Sequence, residues 1–183
     1  MTGERPPYLP GDPVAAADAA RMIRVDQAGE YGATRIYAGQ LAVLGRGRAT
    51  AEIRAMAEQE RRHLGQFDAL MTARQVRPTV LSPLWHAAGY ALGAATALLG
   101  ERAAMACTVA VEEVIDAHYA GQAARLGGGD SALAETIRAA REDEIAHRDA
   151  ALAHGAADAP GYDLISAVVK TGSRLAIWLS ERI

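Results

Sequence analysis

Residues 57–66 read AEQERRHLGQ and residues 140–149 read AREDEIAHRD, and these two stretches decide the fold. Each carries Glu-x-x-His: Glu60 with His63, and Glu144 with His147. On an α-helix a spacing of three turns the chain by roughly 300°, so each Glu and His stand on one face, one turn apart. Both side chains of a pair can therefore reach one metal ion from one helix.

Working outward, Glu30 lies thirty residues before Glu60, in VDQAGEYGA, and Glu112 lies thirty-two before Glu144, in AVEEVIDAHY. The chain thus repeats one pattern twice, a lone Glu on one helix and then Glu-x-x-His on the next. Each lone Glu is followed seven residues later by a tyrosine, Tyr37 and Tyr119, which the helical period returns to nearly the same face. Weakly polar neighbours (Ala28, Gly29, Gly32 and Ala33; Val109, Ala110, Val111 and Val114) suit carboxylates that face inward.

The rest of the chain agrees with a helical reading. A first helix is expected over 15–44, with a break-prone spot at Gly29–Gly32, ending at Gly45-Arg46-Gly47. A second runs over about 48–74 and stops before Arg77-Pro78. A third opens at Ser82-Pro83, read as an N-cap and a first-turn proline, and continues to Gly127-Gly128-Gly129 with Gly89, Gly93 and Gly100 as places for a kink. A fourth spans Asp130-Ser131 to about His154 and a last one about 162–182. Strand signals are absent. Long helices joined by short turns predict an antiparallel helical bundle, so residues 15–183 read as a single all-α domain. Residues 1–14, rich in proline and glycine, read as a disordered lead-in with neither a secretory signal nor an Arg-rich transit peptide.

Composition narrows the function. Half of the 183 residues are hydrophobic but only 5% are aromatic, and 42 are alanine, which suits closely packed helices. A net charge of −3 provides no general attraction for nucleic acid. The single cysteine, Cys107, excludes within this chain a disulfide framework, a zinc knuckle and a thiolate-held iron–sulfur cluster, and reads as a small buried apolar residue. Neither glycine turn resembles a phosphate loop, and no dinucleotide-binding domain is visible, so electrons for oxygen chemistry must come from a partner, from the substrate or from a nicotinamide bound in an unfamiliar way. Two segments either suit lipid or simply complete the core. Residues 78–100 carry no formal charge over 23 positions, a weak spanning candidate. Residues 162–183 are amphipathic, with Leu164, Val168, Leu175 and Leu179 on one broad face and Lys170, Arg174, Arg182 and Trp178 suited to an interface.

Four carboxylates and two imidazoles from four helices form the ligand set of ferritin-like di-iron and di-manganese bundles. Four carboxylates balance the charge of two divalent ions; without metal they would repel, and several would take up protons. Oxygen and imidazole donors without thiolate favour iron or manganese. The segments IRVDQAGEYGATRIYAGQLAVLG, QERRHL, VRPTVLSPLW, ALGAATALLG, AMACTVAVEEVIDAHY, DEIAHRD and RLAIWLSER, in that order over residues 20–183, resemble the demethoxyubiquinone hydroxylase family of ubiquinone biosynthesis. The resemblance implies a ferritin-like four-helix bundle with added apolar and amphipathic membrane-facing segments. It implies a di-iron monooxygenase that hydroxylates the ring of a polyprenyl 5-demethoxyubiquinol with O₂. Glu30, Glu60 and His63 would bind one iron and Glu112, Glu144 and His147 the other, with carboxylates bridging. Tyr37 and Tyr119 are candidates to position the ring or gate protons. An external reductant such as NADH, a membrane surface and a lipid-binding partner of the ubiquinone-synthesis complex complete the expected associations. The expected location is peripheral, on the cytoplasmic side of a bacterial inner membrane or the matrix side of a mitochondrial one.

The remaining polar residues receive lesser roles. Asp26, Asp143 and Asp116 lie four residues from Glu30, His147 and Glu112, placed to orient those ligands or to pair with arginine outside. His118 is off the ligand face, a supporting or core histidine; Glu113 is read as outward, and His86 and His154 as non-ligands. The competing readings are a ferritin-like ferroxidase, a manganese catalase, and a non-catalytic lipid-binding helical component of a quinone-synthesis complex. A rubrerythrin-type peroxidase would need four cysteines.

Overall fold

A computed structural model describes residues 15–126 and 130–183. The expected lead-in over 1–14 and the Gly127-Gly128-Gly129 turn lie outside the described residues. Among the described residues there are six α-helices, α1 Ala15–Val43, α2 Arg48–Arg74, α3 Ser82–Leu98, α4 Glu101–Leu126, α5 Ser131–Ala153 and α6 Tyr162–Ser180, with one 3₁₀ turn at Ala156–Asp158. No strand occurs among the described residues.

Side-chain pairs give the directions. Gln27 with Asp68 sets α1 antiparallel to α2, and the hydrogen bonds Gln40 to Ala104 and Gln122 to Asp26 set α1 antiparallel to α4. Arg141 with Asp116 sets α5 against α4, and Gln59 with His147 closes the ring between α2 and α5. Helix α3 lies outside that ring and runs parallel to α1, with Tyr31 beside His86 and Arg35 over Tyr90. It is the crossover that carries the chain from the end of α2 back to the start of α4, one long connection in an otherwise antiparallel helical bundle.

The single third helix expected from Ser82 to residue 126 is therefore two helices. Gly100, at φ +108°, takes a backbone conformation that other residues resist, and the chain reverses there. Gly89 and Gly93 do not kink α3; they let it touch α1. A Cβ on Gly93 would fall 1.9 Å from the Ile36 carbonyl oxygen, and one on Gly39 would fall 2.1 Å from that of Tyr90. Gly29 and Gly32 likewise leave α1 unbroken. Ser82 is the first helical residue and not the cap; its hydroxyl donates to the Thr79 carbonyl.

Among the described residues no helix is long and apolar enough to cross a membrane, which corrects the spanning candidate at 78–100. A turn takes up its first residues, and the 17 residues of α3 rise only about 25 Å before Gly100 reverses the chain.

Ten consecutive residues of α4, Ala103 to Glu112, are buried, because α1, α3, α5 and α6 cover it on all sides. Alanine and Cys107 at these positions keep the neighbouring backbones close. Helix α6 packs on α4 through Val169, beside an ion pair between Lys170 and Glu113. Asp130 caps α5 through the Leu133 N–H and also receives the Arg74 guanidinium, which ties the end of α2 to the start of α5.

Candidate metal centre

The bundle core brings together all six residues of the repeat. Glu30 comes from α1, Glu60 and His63 from α2, Glu112 from α4, and Glu144 and His147 from α5, each no more than 4% exposed. Their donor atoms form two groups. One joins Glu30, Glu60, His63 and Glu144; the other joins Glu60, Glu112, Glu144 and His147, with every ligand atom of a group within 4.8 Å of the others. Glu60 and Glu144 belong to both, so the arrangement is two adjacent positions sharing two carboxylates.

The donor set can be tested against its own hydrogen bonding. Buried polar atoms normally find partners, yet Oε2 of Glu30, both carboxylate oxygens of Glu60 and of Glu144, Oε2 of Glu112, and Nδ1 of His63 and His147 lack one. Single orphan atoms also occur on Asp26, Gln27, Arg35, Gln40 and Gln122, outside the cluster, but these eight all belong to the two groups. Divalent cations would satisfy them all at once, so the residues fit a two-metal site.

Electrostatics without metal point the same way. Burial, then the Glu144 and Glu30 carboxylates, raise Glu60 well above the ordinary carboxyl range. Burial and Glu144 do the same to Glu112. For Glu144 burial works against the charge, but the imidazoles of His147 and His63, whose Nδ1 atoms stand 3.4 and 3.5 Å away, outweigh it and bring the carboxyl to about 2. Burial also opposes a charge on His63, but the Glu144 and Glu30 carboxylates, 3.5 and 3.6 Å from its Nδ1, nonetheless raise it to about 10. The metal-free cluster thus retains protons where cations would otherwise compensate its charge.

The two tyrosines cross over. Tyr37 donates to Oε1 of Glu112 at 2.7 Å, and Tyr119 donates to Oε1 of Glu30. Each therefore holds the lone Glu of the other half of the repeat and leaves Oε2 facing the cluster. Burial and nearby carboxylates raise both phenols well above their ordinary range, so they stay protonated donors.

Around this core the sequence expectations fare unevenly. Asp143 holds not His147 of its own helix but His63 across the bundle, with Oδ2 2.9 Å from Nε2. Asp26 does not hydrogen-bond Glu30; it accepts from Gln122 at 2.7 Å and lies 3.3 Å from His118. Burial raises Asp26 to about 6. Asp116 pairs outward with Arg141, and Glu113 with Lys170. His86 meets the Tyr31 hydroxyl and His154 lies 3.9 Å from Glu52, both away from the cluster. Cys107 is buried, and burial pushes its thiol up to about 12. Two functional neighbours escaped the sequence reading, Gln59, which faces His147 Nε2, and Gln122. Gln59 had a signal available, since it precedes Glu60 as Asp143 precedes Glu144.

An apolar cavity of about 400 Å³ lies between α1, α3, α4 and α6, walled by Val25, Gly29, Gly32, Trp85, Val168 and Leu175 among others. Ala33, Ile36 and Val111 of its wall also pack against Tyr37, Thr108 and Glu112. A single layer of apolar side chains thus separates the cavity from one end of the cluster.

The sequence model of the family described as "Ubiquinone biosynthesis protein COQ7" matches residues 17–180. The chain is 56% identical over 176 residues to a 3-demethoxyubiquinol 3-hydroxylase of Rhodospirillum rubrum, covering 96% of this chain and 83% of that protein. It is 50% identical to the mitochondrial NADPH-dependent 3-demethoxyubiquinone 3-hydroxylase of Homo sapiens, covering 94% and 81%. Against the mitochondrial 5-demethoxyubiquinone hydroxylase of Saccharomyces cerevisiae the identity is 43%, covering 92% and 79%.

Proposed function

The chain belongs to the COQ7 family of ubiquinone biosynthesis proteins, and from that premise we propose that it is a di-iron monooxygenase hydroxylating the ring of a polyprenyl demethoxyubiquinol. The observation that carries this reading is the pair of buried donor groups sharing Glu60 and Glu144, beside an apolar cavity whose wall residues also touch Glu112. Residues 15–183 serve as one ferritin-like domain.

Glu30, Glu60, His63 and Glu144 would hold one iron, and Glu60, Glu112, Glu144 and His147 the other. When bound, the irons supply the reduction of O₂ and the delivery of one oxygen atom to the ring. The chain's own contribution is positional. Tyr37 and Tyr119 fix Glu112 and Glu30, and their protons remain on the phenolic oxygens. The cavity is of ligand size, within the range of about 300–1,000 Å³. Its walls exclude water around the quinol ring and leave the prenyl tail among apolar side chains.

The apolar residues that wall the cavity continue to the outside. Val168 and Leu175 line it and are also exposed, near Leu164 and Trp178 on α6 and Leu84 on α3. This supports peripheral association with the inner membrane, from which a lipid-soluble quinol can enter. Electrons come from a nicotinamide, as for the mammalian relatives, which are named as NADPH-dependent.

The test is to load purified protein anaerobically with ferrous salt, count the ions, and follow O₂-dependent hydroxylation of a short-tailed demethoxyquinol. Two equivalents and hydroxylated product are expected, and Glu112→Ala or Glu144→Ala should abolish hydroxylation. Peroxide disproportionation without reductant would identify a manganese catalase instead, and iron oxidation without ring hydroxylation a ferroxidase.

A further inference from the structure

The internal repeat extends one residue beyond the ligands. Gln59 precedes Glu60, and Asp143 precedes Glu144. Each reaches across the bundle to the imidazole carried by the other helix. Asp143 Oδ2 lies 2.9 Å from His63 Nε2, and Gln59 Oε1 lies 3.3 Å from His147 Nε2. Both partners are acceptors, so Nε2 is the donor in each ring and Nδ1, which faces the carboxylates, is the nitrogen left to bind a cation.

In other respects the two positions are closely matched. Each has three carboxylates, two of them common, and each lone Glu is held by a tyrosine hydroxyl. What differs is the acceptor behind the imidazole: a carboxylate at short range for His63, a neutral amide at longer range for His147. An imidazole that donates to a carboxylate is the more basic metal ligand, and such outer partners are worth roughly 10–100-fold in metal affinity.

We propose that Asp143 and Gln59 make the two metal positions unequal, so that the position containing His63 takes the first divalent ion and the position containing His147 takes the second. Asp143 and Gln59 act through the histidines, as positioning residues. The inference rests on the metal-site reading above.

The experiment titrates metal-free, full-length protein with Co²⁺ under chelator competition. Two resolved binding steps are expected. Asp143→Asn keeps the shape and removes the charge, and should weaken the tighter step by roughly 10–100-fold. Gln59→Glu adds a charge behind His147 and should tighten the weaker step by a comparable factor. With one equivalent of ⁵⁷Fe²⁺, the unsubstituted protein should show one quadrupole doublet by Mössbauer spectroscopy. The doubly exchanged protein (Gln59→Glu with Asp143→Asn) should populate a second. Both substitutions are isosteric, and thermal unfolding of the metal-free variants should stay close to that of the parent.

A single-step uptake in the parent protein would overturn the proposal. So would an equal loss in both steps for Asp143→Asn, or an unchanged weaker step for Gln59→Glu. If the protein bound neither Co²⁺ nor ferrous ion, the metal-site reading itself would fall, and the inequality with it.

Discussion

Gly93→Ala is expected to destabilise the protein, whereas the same substitution at Gly32 is expected to stabilise it. The added Cβ at Gly93 would stand 1.9 Å from the Ile36 carbonyl oxygen and 2.8 Å from its carbonyl carbon. Both are backbone atoms of α1 and cannot rotate aside. Helix α3 has to retreat by about 1.5 Å before that contact reaches ordinary separation, and a gap of even 0.5–1 Å forfeits a quarter to a half of the attraction across a packed interface. Overpacking of this kind costs about 3 kcal/mol, the upper end of the usual range. At Gly32 a Cβ meets nothing within 4 Å, because the residue borders the apolar cavity. There alanine recovers helix propensity worth about 1 kcal/mol. For a chain of this length the melting temperature should fall by roughly 6–12 °C for Gly93→Ala and rise by roughly 2–4 °C for Gly32→Ala. Thermal unfolding of metal-free protein followed by circular dichroism reads both. A Gly93→Ala variant that melts with the parent, or a Gly32→Ala variant that melts earlier, would refute the reasoning about close approach and open space.

Three further expectations follow from the site. Because Glu144 belongs to both donor groups and Glu112 to one, Glu144→Ala should lose both ions and Glu112→Ala should retain one, as metal analysis after gel filtration would reveal. Tyr37→Phe and Tyr119→Phe free Oε1 of Glu112 and of Glu30; each should lower metal affinity by roughly 10–100-fold while two ions still bind at saturation, measured by chelator competition. The third concerns pH. Groups whose pKa rises on folding hold more protons folded than unfolded, so they lose their stabilising effect as pH rises. His63 contributes fully below its ordinary 6.5 and no longer above about 10, and Glu60 and Glu112 act in the same direction from 4.5 upward. Glu144, lowered to about 2, contributes above 4.5 and loses its effect only as pH falls below that. Metal-free protein should therefore melt progressively lower between about pH 5 and pH 9. Metal-loaded protein should reverse that trend, since the ions require deprotonated ligands. Parallel slopes with and without metal would count against the assignment.

Local rules carried the sequence reading a long way. Helical periodicity places Glu60 with His63 and Glu144 with His147 on shared faces whatever surrounds them. The repeat with Glu30 and Glu112 completes the donor set before any packing is known. Helix boundaries were legible at Arg48, Arg74 and Ser131 because turn residues punctuate the chain there. Spacing misled where the partner lies on another helix. Asp143 stands four residues before His147 but holds His63. The grip of Tyr37 on Glu112 is likewise a contact between helices that no spacing along α1 indicates.

The amino-acid sequence by itself determined which side chains can bind metal, that they lie on helices, and that they come in two matching halves. These are properties of composition and of a 3.6-residue period. Only the tertiary structure decided which carboxylates are shared, which acceptor stands behind each histidine, and that Gly100 turns one apolar stretch into a crossover and a bundle helix. It also decided which glycines bring helices into contact and which border open space. Such outcomes depend on how four rods are rotated and shifted against one another, and no spacing along a single rod encodes that.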